Sequence, residues 1–333
     1  MAFFRIAGGV LRVTGGPGLP VHAVLLDAFE EALLLRWCGE YECVLAAGAA
    51  SGEDDARLYR WWVGDEAWQE VHGGYVADAV GLGEGWVVHD GRGLAFLDAD
   101  GEVAKRVEVG RFNPGPPSLS VSPDGERIAW IRWRGDDRRI CTQRVDEDSP
   151  REYGVSCHRY AWRDGRSLVF YLNGPLRVLD VETGEASILL EGVTAARGRR
   201  LGHRTLDRYL TGRVPDVEES LAEIAVADRC VWFGASIVTL SFRWWWLPRF
   251  HGVFSIGLDG GDLRLVATVP RQEQVRDVVA LAGGTVVVDT ERYRRMRVVD
   301  RRRCQFGPLA AFLADGWSPM PTSSDPEFGF RLA

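Results

Sequence analysis

Residues Ser118–Trp133 read SLSVSPDGERIAWIRW, and this stretch decides the fold. Leu119 and Val121 alternate with polar residues, as one half-buried strand would. Pro123-Asp124-Gly125 is a tight-turn sequence: proline presets one turn dihedral, and Asp and Gly accept the conformations a hairpin loop requires. Ile128 to Trp133 then forms a second run rich in β-branched and aromatic residues. Strand, turn and strand together predict an antiparallel hairpin.

The same pattern recurs along the chain. It reads VHAVLLDAFEEALLLRW from Val21, YVADAVGLGEGWVVHD from Tyr75 and HRYAWRDGRSLVFYLN from His158. Two further copies are LAEIAVADRCVWFGAS from Leu221 and VRDVVALAGGTVVVDT from Val275. Gly85, Gly125 and Gly165 fall at intervals of 40 residues, the period of one four-stranded propeller blade. A second hairpin element follows each first one: LAFLDADGEVAKRVEV around Asp98, LRVLDVETGEASILL around Asp180 and VFSIGLDGGDLRLVATV around Asp259. Weaker copies surround Asp65, Asp146 and Asp300. The expectation is an all-β chain: one β-propeller domain over residues 1–333, with strands A to D in each antiparallel blade. Six blades are expected, with the N-terminal strand (residues 1–13) closing the ring. A seventh blade, built from the N-terminus and residues 309–333, is the alternative; otherwise that segment is a C-terminal tail.

The Ser122-Pro123-Asp124-Gly125-Glu126-Arg127-Ile128-Ala129-Trp130 stretch resembles the repeat of bacterial TolB-like and WD-repeat propellers. Arg163-Asp164-Gly165-Arg166 matches it in part, and the other copies by pattern alone. The motif specifies a blade, not an activity. Stand-alone propellers of this kind resemble those that accompany MoxR-type AAA ATPases and von Willebrand A proteins in bacterial conflict systems. That resemblance implies a protein partner of that type.

In a four-stranded meander the B–C loops and D–A links share one end of the sheet. The long segments Cys38–Arg57, Val193–Ser220 and Ser236–Gly252 all belong to these two classes of connection. Loops on a rigid scaffold are where binding residues concentrate. The chain carries 40 Lys and Arg against 47 Asp and Glu, a net charge of −7 that by itself speaks against a general nucleic-acid binder. The basic residues are unevenly placed, however. Residues 193–214, 132–139, 291–297 and 243–250 together carry +12, which leaves −19 for the remainder. A field of this kind steers an anionic partner. The candidate binding residues are Arg197, Arg199, Arg200, Arg204, Arg208, Arg243, Trp244, Trp245, Trp246, Arg249, Phe250, Arg292, Arg294 and Arg295. Three consecutive tryptophans cannot all enter one side of a strand, and aromatics with Arg are an interface composition. The other tryptophans of the repeats, Trp86, Trp130, Trp162 and Trp232, are expected in the core.

Catalytic signatures are weak: no G-x-S-x-G, P-loop, H-E-x-x-H or dinucleotide fingerprint is present. Asp98-Ala99-Asp100-Gly101 lacks the rest of a calcium-loop ligand set and reads as a hairpin turn. Two asparagines, Asn113 and Asn173, are too few for the calcium set typical of lactonase-type propellers. The six cysteines are scattered without a C-x-x-C and read as thiols of a reducing compartment. No secretory leader and no uncharged run of ~18 residues are seen. The expectation is a cytoplasmic, non-enzymatic interaction scaffold with no cofactor, no metal site and no membrane contact. Nucleic-acid or other polyanion binding by the Arg-rich face, and a channel-mouth hydrolase, are the alternatives.

Overall fold

A computed structural model describes residues 3–7, 10–14, 20–25, 31–38, 43–49, 57–76, 78–90, 93–109, 119–134, 137–171, 174–196, 198–211, 214, 217–227, 229–239, 249–269, 273–281, 285–294, 297–306 and 318–319. In chain order the strands are β1 (Phe3–Ala7), β2 (Val10–Thr14) and β3 (Val21–Leu25), then β4 (Glu31–Cys38), β5 (Cys43–Ala49), β6 (Arg57–Trp62) and β7 (Gln69–His72). Next come β8 (Asp78–Leu82), β9 (Gly85–His89), β10 (Gly93–Leu97) and β11 (Val103–Glu108), followed by β12 (Ser120–Val121), β13 (Arg127–Arg134), β14 (Asp137–Arg144) and β15 (Arg151–Ser156). The chain continues with β16 (Arg159–Trp162), β17 (Ser167–Tyr171), β18 (Leu176–Asp180) and β19 (Ala186–Leu190), then a helix α1 (Arg204–Leu210). The last elements are β20 (Val217–Ala227), β21 (Cys230–Thr239), β22 (Phe250–Gly257), β23 (Arg264–Val269), β24 (Glu273–Leu281), β25 (Thr285–Arg294), β26 (Arg297–Phe306) and β27 (Ser318–Pro319).

These strands form seven antiparallel sheets among the described residues, each a meander of consecutive strands apart from the pairing of β27 with β1. The chain divides into two compact units, Met1–Ser156 with Pro308–Ala333, and Cys157–Gly307. The first unit holds β27-β1-β2-β3 and the sheets β4–β7, β8–β11 and β12–β15; the second holds β16–β19, β20–β23 and the three-stranded β24–β26. The N-terminal strand meets the C-terminal segment, with Phe3 opposite Pro319 and Phe4 opposite Ser318. That sheet corresponds to the additional blade of the seven-blade alternative.

Middle strands explain why the repeats read as nearly continuous apolar runs. All five residues of β9, β10 and β17 are buried, because a strand covered on both faces has no solvent side to alternate toward. Trp86, Trp130, Trp162 and Trp232 are core residues, as expected. The turn aspartates hold the hairpins. Asp98 Oδ1 accepts the Asp100 and Glu102 N–H groups, Asp180 Oδ1 those of Glu182 and Thr183, and Asp259 Oδ1 that of Gly261. Asp98–Gly101 is therefore a hairpin turn whose carboxylate is engaged by its own backbone.

A device invisible in the sequence joins sheet to sheet within each unit. The outermost strand of several sheets carries one extra residue: Val71 in β7, Ala104 in β11, Leu189 in β19 and Val266 in β23. Such a bulge turns a backbone carbonyl away from its own ladder. The carbonyls of Val71 and Leu189 then face Gly101 and Gly260, the turn glycines of the following sheets. A Cβ on Gly101 would lie 2.1 Å from Val71 O, and one on Gly260 3.0 Å from Leu189 O; both glycines have positive φ. Asp78 makes a second joint. Fully buried at the start of β8, it accepts the N–H groups of Ala79 and, 41 residues on, Leu119, each at 2.8 Å.

Several expectations need correction. Val21–Trp37 is not a hairpin: β3 ends one sheet and β4 begins the next. Cys38–Arg57 is not an insertion, because β5 lies within it and pairs with both β4 and β6. Gly85 does not share the turn position of Gly125; it starts β9, while Gly83 takes the positive φ of that turn. Asp300 is not at a turn but inside β26, opposite Arg292. Cys141 and Cys157 are buried and Cys230 half-buried, all three outside any disulfide, which leaves the thiol expectation unchanged.

Candidate binding surface at the α1 end of the second unit

The connection from β19 to β20 is the long D–A link expected from the sequence, and it is folded rather than open. Ala195, Ala196 and Arg199 donate their N–H groups to the carbonyls of Gly192, Val193 and Ala196 in successive turns. Gly198 N–H reaches the Leu210 carbonyl at 2.9 Å, so the turns are tied to the far end of α1. His203 caps the helix, its Nδ1 accepting the Leu206 N–H, and Asp207 Oδ1 accepts the Leu201 N–H at 2.8 Å. The helix corrects the expectation of a long open loop. Its signal in the sequence is the i, i+3, i+4 spacing of Leu206, Tyr209 and Leu210.

Those three residues are buried, and they share one apolar cluster with Tyr171, Leu176, Ile237, Phe250 and Phe254. Tyr171 and Leu176 flank the B–C connection of β17 and β18, while Ile237 and Phe250 lie beside that of β21 and β22. The D–A link thus packs where the topology of a meander requires, on the B–C ends of its neighbours. Burial pushes the Tyr209 phenol up, so it stays neutral. Phe250 is 3% exposed, with its ring 5.0 Å from that of His203. Its place among the candidate binding residues is therefore corrected: it seats α1 and presents little side chain to solvent.

Glu219, near the start of β20, clamps the entry to this link. One carboxylate oxygen accepts the Val193 N–H at 2.7 Å; the other accepts the Thr194 N–H at 2.9 Å and its hydroxyl at 2.8 Å. On the opposite face of the sheet, Ser236 Oγ lies 2.7 Å from His251 Nδ1. Burial first, and the charge of Arg249 second, hold the His251 imidazole below its ordinary pKa. Sequence reasoning singles out neither Glu219 nor the Ser236–His251 pair.

Arg199, Arg200, Arg204 and Arg249 are exposed, and none forms an ion pair among the described residues. Arg204 follows His203 and Arg249 precedes Phe250, the two residues whose rings are in contact. Arg208 is half-buried. The 132–139 segment behaves differently. Arg132 pairs with Glu152 at 2.9 Å, and Arg139 with Asp137 at 2.7 Å and Glu152 at 3.6 Å, so both of these arginines are paired. Arg292 and Arg294 fall in β25. Arg197, Arg243, Trp244, Trp245, Trp246 and Arg295 lie outside the described residues.

Among the described residues no group of three or more His, Cys, Asp or Glu side chains could hold a metal ion, and no helix is long and apolar enough to cross a membrane. No protein-family model and no curated protein matches the sequence. Solved structures do match. An oligogalacturonate lyase in complex with manganese aligns over 90% of this chain and 79% of its own, at 10% identity and a TM-score of 0.54. A Mycobacterium tuberculosis puromycin-hydrolyzing peptidase aligns over 90% of this chain and 52% of its own, at 16% identity and a TM-score of 0.50. TolB from Acinetobacter baumannii aligns over 79% of this chain and 64% of its own, at 13% identity and a TM-score of 0.43.

The fold is a β-propeller, in keeping with the TolB-like repeat. The same comparison overturns the expectation of a non-enzymatic chain. Structures of this fold include a lyase and a peptidase. Missing catalytic sequence motifs therefore do not separate a binding propeller from a catalytic one.

Proposed function

We propose that this propeller binds a protein partner through the surface formed by the β19–β20 link, with α1, and Arg249 just before β22. The observation that carries this is the folded link itself. A neutral surface insertion has no need to bury Leu206, Tyr209 and Leu210, or to engage the whole Glu219 carboxylate. The cost of ordering this loop is met by packing that holds four exposed arginines on a rigid base. An AAA ATPase with a von Willebrand A protein is the partner class that the repeat resemblance suggests.

The test is recovery of the partner from the native host with tagged chain, identified by mass spectrometry. Loss of the same partner on combined Arg199→Glu, Arg200→Glu and Arg204→Glu substitution supports the assignment of the surface. Equal recovery from wild type and variant would sink it.

A further inference from the structure

We infer that the occupant of this surface is a short acidic peptide segment, rich in Asp and Glu, carried by the partner. The inference rests on the α1 end being the interaction surface and adds the chemistry that is read there. Asp207 accepts the Leu201 N–H, and both oxygens of Glu219 accept donors from Val193 and Thr194. These two acids are held by donors of the link and form no ion pair with the arginines among the described residues. Glu191 and Glu218 are exposed and form no ion pair with the arginines among the described residues.

Elsewhere in the same unit, among the described residues, Arg177 and Arg229 are single exposed arginines without an ion pair, and others are paired. Arg163 pairs with Asp164, Arg166 with Asp180, and Arg264 with Asp262. Arg199, Arg200 and Arg204 stand within six positions of one another, and Arg249 precedes Phe250, whose ring meets that of His203. Guanidinium groups present planar forks that match carboxylates two bonds at a time. A set of them that forms no ion pair among the described residues is complementary to a run of carboxylates.

The size of the occupant follows from charge. At physiological salt the field of a surface charge decays over about 8 Å, so the patch attracts only what lies on it. The whole chain carries −7. A long polyanion such as nucleic acid, extending past the patch, meets repulsion that a short acidic segment avoids. Charge contributed by two separate elements, the β19–β20 link and the residue before β22, favours an extended segment over a single anion.

Fluorescence anisotropy with fluorescein-labelled octaglutamate as the probe tests this on the full chain. Binding is expected at about 50 mM salt and should weaken steeply as salt rises. The triple Arg199→Glu, Arg200→Glu, Arg204→Glu variant should bind at least about tenfold more weakly. Arg166→Glu, an exposed arginine already paired with Asp180, should stay within about twofold of wild type. Melting curves of each variant show that the fold is retained, and Arg199→Gln with Arg200→Gln, a gentler change, should give an intermediate loss. Absence of octaglutamate binding, or equal loss in the Arg166 control, overturns the inference. So does a single-stranded oligonucleotide of equal charge binding as tightly, which would make the surface a general polyanion site. Partner recovery that depends on Arg199, Arg200 and Arg204 while octaglutamate fails to bind would leave the interaction surface standing and remove only the acidic segment.

Discussion

At the scale of single residues, the glycines separate two physical demands. Gly64 needs a positive φ but has open space around it, whereas Gly101 needs a positive φ and would also bring a Cβ within 2.1 Å of Val71 O. Gly64→Ala should cost about 1 kcal/mol, the left-handed backbone penalty alone. Gly101→Ala should cost about 3 kcal/mol, because a carbonyl must also move; denaturant midpoints of the two variants measure the difference. His89 supplies a pH effect. Burial holds it near pKa 4 against an ordinary 6.5, so it is neutral in the fold and takes up a proton more readily when unfolded. Its contribution is complete above pH 6.5 and is lost as the pH falls toward 4, up to about 3 kcal/mol. His89→Gln should flatten stability against pH across that window. Identical slopes in wild type and variant would remove His89 as the cause.

At the scale of elements, the β19–β20 link depends on one carboxylate and one apolar stripe. Glu219→Ala leaves the Val193 and Thr194 donors without acceptors and should cost about 2 kcal/mol, concentrated in the link. Hydrogen exchange should show the amides of Val193 to Leu210 opening faster while β21 and β22 keep their protection. Leu206→Ala removes a fully buried side chain and should cost about 2–5 kcal/mol. Hairpins are legible because their causes are local: Asp98, Asp180 and Asp259 bond backbone two to four residues away. The helix escapes a sequence reading because its cap is His203, outside the usual Ser, Thr, Asp and Asn set. The false hairpin at Val21–Trp37 has a different cause. Two apolar runs joined by a short acidic stretch look alike whether the strands pair or divide between sheets.

At the scale of the whole molecule, the thiol expectation has a direct check. Denatured, unreduced protein should titrate six thiols per chain. The β4–β5 register sets Cys38 opposite Cys43, and register partners lie within the Cα separation that a disulfide spans, about 4.4–6.8 Å. A count of four would therefore reverse the reducing-compartment reading and point to that pair. Net charge is the quantity whose meaning the fold changes most. Segment sums place +2 on residues 132–139, with Asp137 already counted, and Glu152 from β15 adds one carboxylate beside Arg132 and Arg139. Among the described residues, Arg199, Arg200, Arg204 and Arg249 around α1 keep their charge without an ion pair.

The sequence by itself determined the blade: a repeat near 40 residues, strand periodicity, and turn aspartates and glycines acting over a few positions. These are short-range effects, and they survive in any chain carrying the pattern. Tertiary structure alone decided the bulge carbonyls that meet Gly101 and Gly260, the burial of Phe250, and the engagement of Glu219 by Val193 and Thr194. It also decided which arginines have a carboxylate within reach. Each of these depends on contacts between residues distant in sequence, where a shift of a few ångströms makes or removes the interaction.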